Sequence, residues 1–176
     1  YTKDIPIIVI TAGKSAQSYS TVGRSVTVID QEEIEKSQDI FLTDFLNGRA
    51  GSLNIFQMGG TGTNTGVQIR GLPKRYSTVY IDGIKMSDPS TPDNSFYSQG
   101  IYLKNIERIE ILKGNQSSLY GSNAIGGTLN IFTKNKGYNK ESNISAIAAK
   151  DNTKNIYYSF GDSDETKDYF ISFNRY

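Results

Sequence analysis

Ile106-Glu107-Arg108-Ile109-Glu110-Ile111-Leu112-Lys113-Gly114, followed downstream by Tyr120-Gly121-Ser122-Asn123-Ala124-Ile125-Gly126-Gly127-Thr128-Leu129-Asn130-Ile131, is the stretch that decides the fold. Alternation in its first half predicts a strand with two faces, since successive side chains point to opposite sides. Arg108 and Glu110 then share one face with Ile106 and Leu112, opposite Glu107, Ile109, Ile111 and Lys113. A glycine ends the strand, a short polar segment follows, and a second apolar strand is predicted over 128–133. Gly114, Gly121, Gly126 and Gly127 read as backbone devices rather than chemical groups. Tyr120 is expected to pack its ring and tie its hydroxyl to the loop.

Moving upstream, residues 67–71 read as a strand ending in Arg70-Gly71. Residues 78–81 and 84–86 flank Asp82-Gly83, whose two residues suit the positive φ angles of a type I′ hairpin turn. A strand is predicted over 52–56, a glycine-rich loop over 57–66, and a second loop over 87–100. Residues 25–29 are β-branched and read as a strand. Asp30 with Glu33 forms a capping-box pattern for a short helix to Lys36. Asp39 is expected to start a second helix, with Phe41, Leu42, Phe45 and Leu46 on one face and Gly48 as its stop. Through residue 136 the chain therefore predicts an α+β domain with a small mixed β-sheet and short helices. Residues 1–23 carry one aliphatic island, Ile7 to Ile10, and read as an extended, mobile arm.

Beyond 136 the pattern changes. Residues 143–149, 155–161 and 169–176 are three alternating runs separated by polar segments. Ile156, Tyr158 and Phe160 oppose Asn155, Tyr157 and Ser159, and Tyr169, Ile171 and Phe173 oppose Phe170, Ser172 and Asn174. Such alternation suits a transmembrane β-meander, but taken alone it reads first as a half-buried sheet in water, where the pattern is common.

The 176 residues are enough for one domain with a core. The mean hydropathy of -0.45 excludes a bundle of membrane helices, and the longest aliphatic run near the start is far short of the ~20 residues a span needs. Nineteen basic against 18 acidic residues leave a net charge of +1, which gives no argument for nucleic acid. With no cysteine and no histidine there is no disulfide, thiolate nucleophile, His-centred triad or zinc site. No catalytic residue, cofactor or metal is assigned. A carboxylate-based glycosidase would need convergent acidic pairs, and the spacing offers none.

The order of these pieces resembles the plug domain of TonB-dependent outer-membrane receptors. Residues 67–71 resemble that family's strand ending in Arg-Gly, 79–86 its Ile-Asp-Gly hairpin, and 106–114 and 120–131 its last two plug motifs. Lys113-Gly114-Asn115 departs from the family's frequent Arg-Gly-Pro, and a proline common near Arg49-Ala50-Gly51 is missing. The resemblance implies three parts: 1–23 a mobile arm, 24–136 the plug, and 137–176 the first antiparallel strands of a transmembrane β-barrel. It implies a cell outer membrane of a Gram-negative bacterium as the location, contact with outer-membrane lipid through the barrel, and gated import of an external nutrient without chemistry on it. Vitamin B12 receptors are the nearest in pattern, iron-siderophore receptors a close second, and haem receptors a third.

The resemblance also implies a partner, the periplasmic energy-coupling protein TonB. Ile7, Ile8, Val9, Ile10 and Thr11 resemble the TonB box, which pairs as an added strand and so must be extended and free of internal partners. The same residues also read as the first strand of the domain. The glycine-rich loop (Gln57, Met58, Thr61, Asn64) has neither the spacing nor the Lys-Ser/Thr of a phosphate loop. By family position it is an apical loop facing the external ligand, or else a loop that contacts nothing. Ser87, Asp88, Asn94, Phe96 and Tyr97 form the second candidate loop, with aromatic surface for a bulky organic or metal-chelate ligand. Asp88 and Asp93 lack a calcium-loop spacing. Arg70, Gly71, Asp82, Gly83, Arg108 and Glu110 are expected to shape the plug and seat it in the barrel.

A complete receptor of about 22 strands needs several hundred further residues. The chain is expected to be a portion of something longer, and the absence of an initiating Met at Tyr1 agrees. The alternative is a soluble β-rich binding or adhesion module, in which the three trailing strands close the domain's own sheet.

Overall fold

The computed structural model describes residues 8–9, 17–18, 26–47, 49, 51, 53–60, 63–115, 117–121, 123–134, 141–148, 153–164 and 166–176. Ile8–Val9 (β1) pairs antiparallel with Gln17–Ser18 (β2). Val26–Ile29 (β3), Ser77–Ile81 (β6), Ile84–Met86 (β7), Ile106–Lys113 (β8) and Gly127–Thr133 (β9) form a five-stranded sheet in the order β3-β8-β9-β6-β7. It is mixed: β6 and β9 run parallel and the other neighbours antiparallel. Leu53–Gln57 (β4) and Thr65–Ile69 (β5) form a separate hairpin. Glu141–Ala148 (β10), Lys154–Ser163 (β11) and Asp168–Arg175 (β12) form a third, antiparallel sheet.

The three trailing strands thus do not close the domain's own sheet, which overturns the arrangement required of the soluble module. Their two-facedness is as the alternation predicts. Asn155, Tyr157 and Ser159 are buried against the rest of the chain, while Ile156 and Tyr158 on the same strand are half exposed. No helix among the described residues is long and apolar enough to cross a membrane.

Local chemistry explains the short helices. Asp30 caps Gln31–Lys36 (α1), its Oδ1 accepting the Glu33 N–H at 2.9 Å. The second helix, Leu42–Leu46 (α2), does not start at Asp39 as expected. Asp39 instead accepts the Ser37 hydroxyl at 2.6 Å, and the Leu42 N–H goes to the Ile101 carbonyl. A third, unforeseen helix spans Ser117–Tyr120 (α3), with the Ser117 N–H held by Asn115 Oδ1.

The main core lies on one face of the five-stranded sheet. Ile29, Ile109, Ile111, Leu129, Ile131 and Val79 pack there against Ile34, Leu42, Phe45 and Leu46 of the helices and Ile55, Val67 and Ile69 of the β4–β5 hairpin. Ile106 joins this cluster, against the expectation that it shares a face with Arg108. A β-bulge between Ile106 and Arg108 inserts Glu107 without a partner and flips the alternation. The opposite face is polar near its centre, with a small cluster of Val26, Leu112, Tyr120 and Ala124 at one end.

Two glycines are required sterically. A Cβ on Gly127 would lie 2.3 Å from the Leu112 carbonyl oxygen, and one on Gly126 would lie 3.1 Å from the Ile69 and Tyr76 oxygens.

Candidate functional site

Three groups of residues are candidates: the amino-terminal island, the two loops, and the contacts between residues 26–134 and the trailing sheet. Ile7, Ile10 and Thr11 lie outside the described residues. Ile8 and Val9 do not stand free. Their backbone is matched with Ser18 and Gln17, which corrects, at these positions, an arm without internal partners.

In the first loop Thr61 lies outside the described residues. Gln57 closes β4 and its amide donates to the Gly60 carbonyl at 2.6 Å. The Met58 N–H reaches the Asn64 carbonyl at 3.1 Å, so the β4–β5 ladder extends one step into the loop. Gly66 belongs to β5 rather than to the loop, and Lys74 covers the space above it. Phe56 and Met58 are 52% and 66% exposed, a large apolar surface at the hairpin's end. Asn64 is exposed beside them.

The second loop is pinned along its length. Asp88 accepts the Ser90 N–H and hydroxyl, which hold its carboxyl below the usual carboxylate range. Ser98 donates its N–H and its hydroxyl to the Thr65 carbonyl, docking the loop on β5. Asn94 has a left-handed backbone (φ 51°), a conformation Asn tolerates. Ser87 is exposed. Phe96 is not the open aromatic surface expected of it, because it packs against the main core. Tyr97 is held by Lys74, whose ammonium donates to the Tyr97 hydroxyl, lies 4.3 Å from its ring centre and sits 3.9 Å from Asp93. Nothing in the spacing of the chain marks Lys74 as the clamp of this loop.

Arg70 and Gly71 are not the end of a strand. Both have positive φ (59° and 71°) and form the turn after β5, with the Leu72 N–H bonded to the Ile69 carbonyl. Asp82 and Gly83 have φ of 49° and 81°, the tight hairpin turn expected. Asp82 does more than turn: its carboxylate accepts the Thr133 N–H at 2.8 Å and the Thr133 hydroxyl at 2.6 Å, fastening the end of β9. Gly114 and Gly121 also have positive φ.

Glu110 is fully buried and Arg108 about a quarter exposed. Their Nε–Oε1 distance is 3.1 Å, an ion-pair contact rather than an aligned hydrogen bond, and the guanidinium also sits 4.5 Å from the Phe132 ring centre. Tyr120 stacks edge-on against Tyr80, ring centres 5.0 Å apart. The Tyr80 hydroxyl donates to the Tyr120 carbonyl, and burial raises its pKa.

The seam to the trailing sheet uses residues that sequence reading missed. Tyr157 donates its hydroxyl to the Lys104 carbonyl at 3.2 Å. Phe41 stacks on Tyr102 and meets Tyr176 edge-on, both at 5.3 Å. Beside these contacts lies a cavity of about 370 Å³ between α1, Lys104 and β10, with Glu35, Lys36 and Ser145 in its lining. Lys104 donates to the carbonyls of Glu35 and Ser37, and burial, with the nearby Lys134, lowers its pKa. Burial pushes the Glu35 carboxyl up, but hydrogen bonds from Gln31 and Lys134 outweigh it and leave the group below its usual range. The inner face of the sheet is itself polar, with Asn155 donating to Asn174 at 2.6 Å. The geometry suits holding one body against another.

Comparison with known proteins gives a consistent result. Residues 18–128 match the family described as TonB-dependent Receptor Plug Domain. Over 152 residues the chain is 32% identical to the vitamin B12 transporter BtuB of Vibrio vulnificus, an alignment covering 86% of this chain and 24% of the transporter. It is 36% identical over 138 residues to the iron-regulated outer membrane virulence protein of Vibrio cholerae, covering 76% of this chain and 21% of that protein. Among solved structures, the siderophore receptor PiuA of Acinetobacter baumannii superposes with a TM-score of 0.68 at 24% identity, over 89% of this chain and 20% of the receptor. The ferripyoverdine receptor of Pseudomonas aeruginosa gives 0.71 at 18% identity, over 92% and 21%. The chain therefore spans about a quarter or less of the relatives it matches.

Proposed function

The chain belongs to the TonB-dependent receptor plug-domain family, and from that premise we propose that it is the gate, with the first wall strands, of an outer-membrane importer for cobalamin or an iron-siderophore. The observation that carries this reading is the seam. The polar face of β11, with Asn155, Tyr157 and Ser159, is buried, and Tyr157 and Tyr176 reach the plug at Lys104 and Phe41, while the other face of β10–β12 turns Ile144, Ile156, Ile171 and Phe173 outward. That is the polar-in, apolar-out distribution of a barrel wall around its contents.

In this reading the ligand docks from outside on the loop around Met58 and Asn64 and the pinned loop over 87–100. The seam holds the plug in place until TonB engages residues 7–11 by strand addition. Because Ile8 and Val9 are paired with β2, engagement requires that short pairing to open. Arg108, Glu110 and Asp82 keep the plug sheet intact while force is applied at the arm. The protein performs no reaction on its cargo.

The test uses the full-length receptor in cells. Ile8→Pro or Val9→Pro removes a backbone donor and is expected to abolish energised uptake of labelled cobalamin or ferric siderophore while surface binding persists. Normal uptake by either variant would remove residues 7–11 as the coupling strand. Uptake of only one of the two cargo classes by the wild type fixes the substrate.

A further inference from the structure

The outward face of the trailing sheet has an electrostatic order along the strands. In register, Ile144, Tyr158 and Phe173 form one outward row, and Ser142, Phe160 and Ile171 the next. Ala146, Ile156 and Arg175 form the row on the other side, with Ala148 and Lys154 beyond it. Lys154 and Arg175 are therefore diagonal neighbours on one face, about 7–8 Å apart at the backbone and within mutual reach of one ligand. Both are exposed, and no carboxylate of a described residue pairs with them. At the opposite end, Asp162 stands across from Tyr169. From Ile156 to Asp162 is about 20 Å along the strand, close to the height of a barrel's apolar band.

Ile144 is 80% exposed, Ile171 63% and Phe173 60%. In a barrel wall such a band faces acyl chains, which puts the charges above and below it at headgroup level. A basic pair at one border and an acid at the other are not interchangeable there. A surface of anionic lipid attracts Lys and Arg and repels Asp, and long cationic side chains reach from an apolar surface to the headgroups.

We propose that Lys154 and Arg175 form a docking row for the phosphate headgroups of anionic membrane lipid, at the end of the strands that borders residues 149–153. The inference rests on the reading of β10–β12 as barrel wall. The row recruits lipid at a fixed place beside the plug seam, because Tyr176, next to Arg175, packs on Phe41 of the plug.

The experiment places a fluorophore on Ile144→Cys, on the outward face one row from Arg175, in the full-length receptor. Quenching is measured in bilayers of dibrominated phosphatidylglycerol mixed with phosphatidylcholine, and in the reverse labelling. Quenching by both lipids is expected, with phosphatidylglycerol favoured severalfold at low salt. The preference is expected to fall to within about twofold in a Lys154→Gln, Arg175→Gln variant, and to survive in Lys154→Arg, Arg175→Lys and in Asp162→Asn. Equal quenching with the pair intact, or an unchanged preference in the glutamine variant, would overturn the docking row while leaving the wall reading in place. Loss of the preference to inorganic phosphate, but not to chloride of equal ionic strength, would reassign the pair to a free anion and overturn it too. No quenching by either lipid would overturn the wall reading and the row with it.

Discussion

A methyl group added at Gly127 has nowhere to go. Its carbon would fall 2.3 Å from the Leu112 oxygen, inside the β8–β9 ladder, and the backbone there has φ of 146°. Gly127→Ala is expected to destabilise the plug by about 3 kcal/mol, from overpacking and a strained backbone together. Gly60→Ala, with nothing within 4 Å, serves as the control, and denaturant midpoints of the two variants compare them directly. Asp82 offers a finer test. Asp82→Ala removes both acceptors for Thr133 and should cost about 1–2 kcal/mol. Asp82→Asn keeps the tolerance for positive φ and should cost less. The turn at Asp82-Gly83 was readable because only a few residue types accept its backbone. The fastening of Thr133 was not, since a carboxylate's partner about fifty residues away in sequence leaves no local signal.

Among the elements, Lys74 holds the loop over 87–100 at Tyr97 and Asp93. Lys74→Ala removes one hydrogen bond and one cation–π contact at Tyr97, together about 1–2 kcal/mol of local order. Amide exchange over 91–100 should accelerate about tenfold with the sheet unaffected. If the loop forms the ligand platform, affinity falls in step. The connection between α1 and the end of β9 responds to acid. Glu35 has a lowered folded pKa, so its contribution is present above the unfolded carboxylate value and is lost as pH falls through the folded one. Acidification through that range should weaken the Lys134 contact, and Glu35→Gln should flatten that part of the stability profile. Strands with strong alternation were legible from sequence, and so was the capped helix α1. The bulge at Glu107, the turn at Arg70-Gly71 and the start of α2 were not. In each, a tertiary partner or an inserted residue overrides the local period, as when the Ile101 carbonyl takes the Leu42 N–H.

For the whole molecule, the order of motifs carried more than any motif alone. Alternation in residues 143–176, taken alone, points first to an ordinary half-buried sheet. The separation of β10–β12 from the plug sheet, with Asn155 and Ser159 buried and Ile144 exposed, favours the wall. Phe96 packs against the main core, a contact that is invisible in a linear reading. The seam residues Lys104, Tyr157, Phe41 and Tyr176 were missed for the same reason. They become meaningful only when two distant segments meet.

The position of β9 in its sheet has a temporal consequence. It is the last of the five strands in the chain, yet it lies at their centre, between β8 and β6. Until residues 127–133 have left the ribosome, β6–β7 and β3–β8 are two fragments with no shared hydrogen bonds. Closing the sheet requires a parallel pairing across about fifty residues, which is slow. A nascent chain of this design stays open and threadable until its final central strand has arrived, and it completes its core only then.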